Sequence, residues 1–149
     1  MHPFDIKAAV LAKHAQHVVL IHFPIALFVA GVAFDFLAQW TNRQFLAAAA
    51  YCNLLAAAVV TVPVLITGVL AWQWQLEGQR LRGILLMHLI LGWASSLLIW
   101  TVFLVHLRAQ RKYQGVLPTY RLPMEAIGVA LVTVTGHLGG FLSGVNGPG

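Results

Sequence analysis

Four histidines, His17, His22, His88 and His137, fall within or at the edge of long apolar stretches of the chain. Imidazole is the commonest metal ligand and an expensive group to place in hydrocarbon, so such residues point to function. The most informative run is His17-Val18-Val19-Leu20-Ile21-His22-Phe23-Pro24-Ile25-Ala26-Leu27. It places two imidazoles and a proline at the mouth of a segment that stays apolar to Trp40. Pro24 has no N–H to offer the Leu20 carbonyl, which predicts a kink at that turn.

The elements that carry these residues follow from composition. The chain has 149 residues, 60% of them hydrophobic and 9% charged, with a mean hydropathy of +0.81. Soluble domains run at about 45–50% apolar and about 25% charged, so the sequence reads as a membrane protein built as a single domain over 1–149. Spans are expected at about Val18–Trp40, Leu46–Trp74, Ile84–Leu107 and Pro123–Leu142. Each meets or nearly meets the roughly 20 residues that cross a bilayer core. Short connections make neighbours antiparallel, so the fold class is all-α: an up-down four-helix transmembrane bundle. Residues 2–16, with Ile6, Val10 and Leu11 against Lys7, Lys13 and His14, read as a short interfacial lead-in or as an extension of the first span. The first apolar run is too long for a cleaved signal peptide. Trp40, Trp72 and Trp74 fall at span ends, where indoles favour the headgroup level.

In that topology both termini and the loop Gln75–Gly83 share one face, and the other two loops share the opposite face. Arg43, Arg108, Arg111, Lys112 and Arg121 lie on the second; Lys7, Lys13, Arg80 and Arg82 lie on the first. The positive-inside rule puts the second face in the cytoplasm and both termini outside. The expected location is the cytoplasmic membrane of a bacterium. No basic run is interleaved with stacking aromatics, so nucleic acid is not an expected partner. The lone cysteine, Cys52, can form no internal disulfide, and CxxC and CxxCH motifs are absent. P-loop, dinucleotide and serine-nucleophile motifs are absent too, which leaves no hydrolytic or phosphoryl-transfer site.

Depth arithmetic brings the histidines together. His22, His88 and His137 each lie about five residues inside the outer face, within roughly one turn of the same level at about 1.5 Å per residue; His17 is slightly shallower. One such ring could simply be hydrogen-bonded to a carbonyl or an interfacial water. Three at one depth make a cofactor the economical explanation. Neither cysteine nor carboxylate shares that layer, since Asp35 and Glu125 lie toward the cytoplasmic side. Oxygen-rich sites are therefore disfavoured, while a histidine-only metal-ion site stays open. Haem b suits the residues better. It needs two axial histidines. Gly68, Gly92, Gly136, Gly139 and Gly140 leave room for it, or serve close helix packing. Arg80 and Arg82 could meet its propionates, or serve topology.

Spans one and three are diagonal, so His22 and His88 are the first expected axial pair. His17 and His137 are the second pair, and could hold a second haem. His17 and His22 are about 140° apart around a helix and should not face one iron. His106 is expected in the headgroup region and Met87 in packing. Asp35 is expected to be a hydrogen-bonded structural group, with a proton relay as the alternative, partnered by Arg121, Arg43, Tyr51 or Asn53.

The run from His17 through His22-Phe23-Pro24-Ile25-Ala26-Leu27, with Phe34-Asp35, Thr67-Gly68, Trp72, Arg82, His88 and Gly136-His137-Leu138-Gly139-Gly140, resembles the DUF2231 family of prokaryotic membrane proteins. Val18, Ala71 and the residues from Phe141 onward depart from the family's usual pattern. The resemblance implies a four-helix membrane fold. Related domains joined to Rieske or c-type cytochrome domains imply a redox setting. Two functions follow as expectations. The first is a b-type cytochrome-like electron-transfer subunit, more carrier than enzyme, with a quinone, a periplasmic cytochrome or a Rieske protein as partner. The second is a cofactor-free accessory subunit of a larger membrane complex.

Overall fold

The computed structural model describes residues 13–78 and 80–144, and among them every regular element is a helix. These are α1 (Lys13–Leu20), α2 (His22–Thr41), α3 (Gln44–Gln75), α4 (Gly83–Lys112) and α5 (Arg121–Leu142). The expected lead-in lies outside the described residues, apart from its last few positions at the start of α1. α1 and α2 are two halves of one span. Four helices are long and apolar enough to cross a membrane: 16–41, 44–74, 83–112 and 121–142.

The break between α1 and α2 falls at Ile21, where the sequence places a kink. Ile21 keeps helical angles, φ -61° and ψ -26°, and its amide bonds the His17 carbonyl at 3.0 Å, so the backbone stays helical across the donor that Pro24 lacks. Pro24 sits in the first turn of α2, where a missing N–H is least costly. Asn42 ends α2 at φ 53°, a left-handed conformation that asparagine tolerates, and α3 starts two residues later. α4 runs to Lys112, beyond the expected Leu107. Arg111 and Lys112 in its last turn suit the negative end of the helix dipole, which favours continuation past the hydrocarbon edge.

The helices close a ring in which α2 touches α3, α3 touches α4, α4 touches α5 and α5 returns to α2. This is the expected up-down order with the first and third spans diagonal. α1 packs against α3. The core is short and central: Phe28 and Val32, Leu54 with Ala57 and Ala58, Ile99, Val102 and Phe103, and Val132. Small residues set how near the helices come. A Cβ on Gly128 would stand 2.7 Å from the Phe28 ring, so α5 can reach α2 there only with glycine. Val59, Ile66, Ile90, Leu97, Leu104 and Ile127 face outward and exposed, a pattern suited to lipid. Trp40 and Trp74 are exposed at helix ends, at the level where indoles settle.

Candidate functional site

The end of the bundle that carries the 76–82 connection holds a mostly apolar cavity of about 130 Å³, open on one side. His17 and His88 both line it, together with Pro24, Gly68, Trp72 and Gly136. Each ring is held through Nδ1. His88 Nδ1 is 3.1 Å from the Thr135 carbonyl oxygen, which can only accept, so Nδ1 carries the proton. His17 Nδ1 is 3.2 Å from Thr67 Oγ1. That hydroxyl donates to the carbonyl of Pro63 or Val64, at 2.9 and 3.1 Å, so it accepts from His17. Both imidazoles therefore keep an Nε2 lone pair for a ligand. An Nδ1–H tied to an oxygen acceptor is the usual second-sphere arrangement of a metal-bound histidine.

Glycines seat both rings. A Cβ on Gly68 would lie 3.0 Å from His17 Cε1, and one on Gly139 would lie 3.1 Å from His88 Cε1. Two of the glycines singled out in the sequence thus make room for imidazole itself, while Gly92 and Gly136 border the cavity. Trp72, expected only as an interfacial anchor, is part of the wall.

The pairing differs from the expected one. His22 is exposed, donating through Nδ1 to the Val18 carbonyl at 2.7 Å. His137 is exposed and meets Phe141 edge-on, with centroids 5.0 Å apart. Neither lines the cavity. The cause is rotation about the helix axis: His17 and His22 stand about 140° apart, so the side of the span that brings His17 to Thr67 and Gly68 leaves His22 exposed. Arg80 and Arg82 are exposed in the 76–82 connection at the cavity's end of the bundle. Among the described residues, no third His, Cys, Asp or Glu joins His17 and His88 in a group that could hold an ion.

A family model described as a predicted membrane protein, DUF2231, matches residues 13–147. The chain belongs to this family. No curated protein and no solved structure matches it. In this DUF2231 protein the matched region takes in all five helices, both cavity histidines and the polar group at the other end of the bundle.

That second group was only partly foreseen. Asp35 takes Arg121 from the four partners considered: Arg121 Nε donates to Asp35 Oδ2 at 2.7 Å. The same guanidinium donates to Gln39 Oε1 at 2.6 Å and to the Pro118 carbonyl at 3.4 Å. His106, expected among headgroups, is 3% exposed, and its Nε2 lies 2.9 Å from Glu125 Oε1. The correction has a simple cause. α4 continues past Leu107, so position 106 still belongs to the bundle and faces α5. Depth arithmetic from the opposite end of the bundle, applied to Asp35, His106 and Glu125, would have found this layer.

Proposed function

We propose that the protein is a b-type haem-carrying membrane subunit with His17 and His88 as the axial pair. The observation that carries the reading is two imidazoles from different spans at one apolar cavity, each with Nδ1 protonated and tied back. A bare metal ion would find two such ligands and no third, whereas haem asks the protein for only two. Bound haem would supply one-electron transfer. The chain would supply ring orientation through Thr67 and Thr135, room through Gly68 and Gly139, and a dry wall through Trp72 and its apolar neighbours. Arg80 and Arg82 offer cations for propionates at the mouth. With the outer face periplasmic, electrons would pass to or from a quinone, a periplasmic cytochrome or a Rieske-type partner within a larger complex of the inner membrane.

Pigment analysis is the direct test. Full chain expressed with ample haem supply should give a Soret band and a pyridine haemochrome of b type. His17→Ala and His88→Ala should abolish it, while His22→Ala and His137→Ala should leave it. A colourless, well-folded chain would sink the proposal in favour of a cofactor-free accessory subunit. Loss of the band in H22A with retention in H17A would restore the pairing read from sequence.

A further inference from the structure

We propose that Asp35, His106 and Glu125 form a divalent transition-metal site at the end of the bundle opposite the histidine cavity. One ligand atom from each of the three residues lies within 4.8 Å of the others. The residues come from three helices, α2, α4 and α5, and all are buried: 2%, 3% and 0% exposed. Glu125 Oε1 meets His106, but Glu125 Oε2 is shut away from solvent and has no hydrogen-bond partner. A buried carboxylate oxygen without a partner is costly, so the cluster is incomplete as it stands.

The charge tally says what is missing. Asp35 is offset by Arg121, whose guanidinium is already taken up by Asp35, Gln39 and the Pro118 carbonyl. Glu125 is left facing an imidazole, so with that ring neutral the cluster is one negative charge in excess in a low-dielectric setting. A cation corrects this. It would take the place of the proton between His106 Nε2 and Glu125 Oε1, that proton moving to Nδ1 so that the ring stays neutral, and would draw in the orphaned Oε2. One imidazole with two carboxylates suits borderline dications such as Zn²⁺, Mn²⁺ or Fe²⁺; sites for Na⁺ or Ca²⁺ are all oxygen. A remaining position falls to water, and proton loss from a dication-bound water would return the cluster to neutrality. The site shares no residue with the histidine cavity and does not depend on the haem reading.

The test uses full chain in detergent, stripped with a chelator and titrated with Zn²⁺ or Mn²⁺, in a His17→Ala/His88→Ala background as well as unaltered. One dication per chain should bind in both, and Glu125→Gln or His106→Ala should weaken it at least tenfold. X-ray absorption of the Zn²⁺-loaded unaltered chain should show one imidazole and carboxylate oxygens at about 2.0–2.2 Å. That spectrum decides the matter if a variant fails to fold. Binding lost in the His17/His88 background, binding indifferent to E125Q and H106A, or a shell of two imidazoles would overturn the proposal. So would a carboxylic-acid stretch that persists at saturating metal and vanishes in E125Q, which would mean that Glu125 carries a proton instead.

Discussion

Thr67 and Thr135 do the same job for the two cavity imidazoles by different atoms, and this separates their substitutions. His17 is tied to a side-chain hydroxyl, so Thr67→Val deletes the anchor and frees the ring to change tautomer. His88 is tied to a backbone carbonyl, so Thr135→Val keeps that tie and loses only the hydroxyl's own bonds, to the Leu131 carbonyl at 2.7 Å and with Ser95 Oγ at 3.0 Å. Loss of a second-sphere partner typically costs about 10–100-fold in ligand affinity. Haem retention measured against a competing apo-protein should fall by that order in T67V and stay near the parent in T135V. Equal loss in both would mean that the tie at Nδ1 is not what matters. The candidate histidines themselves were legible, because imidazole inside an apolar run stands out by cost alone. Which two would meet was not. That depends on how each helix is rotated about its axis in the packed bundle, which residue spacing does not fix.

At the scale of elements, the turn at Ile21 is where a missing hydrogen bond meets a continuous helical backbone. Spans were readable because 20-residue apolar runs have few alternatives, and the interruption was readable because proline removes a donor. Ile21 keeps helical angles, φ -61° and ψ -26°, and its amide bonds the His17 carbonyl. His17 and His22 therefore stay about 140° apart around the span, one against Thr67 on α3 and the other exposed. Pro24→Ala returns an N–H to the Leu20 carbonyl and takes a ring from the cavity wall. Because the backbone is already helical across the proline, thermal unfolding in detergent should stay near the parent's temperature and haem content should be retained, unlike in His17→Ala. Loss of pigment in P24A to the level of H17A would show that Pro24 positions His17.

For the whole molecule the open question is which end faces the cell exterior, because that assigns the cavity its partners. The sequence counts five basic residues on one face against four on the other. Arg121 is now accounted for as the buried partner of Asp35, which leaves Arg43, Arg108, Arg111 and Lys112 as that face's exposed cations. Three of these sit within one turn and a half at the end of α4, and density near a span end is what the positive-inside rule weighs. The rule would set the cavity, at the other end, outward. Cys52 points out of the bundle, so it is first replaced by serine; single cysteines are then placed at Glu77 in the 76–82 connection and at Thr119 in the 113–120 connection. In intact cells a membrane-impermeant thiol reagent should label E77C and spare T119C until the membrane is opened. The reverse pattern would turn His17 and His88 toward the cytoplasm. A periplasmic cytochrome or Rieske-type partner would then be out of reach, and the electron donor would have to be sought among cytoplasmic reductants or quinol on the inner leaflet.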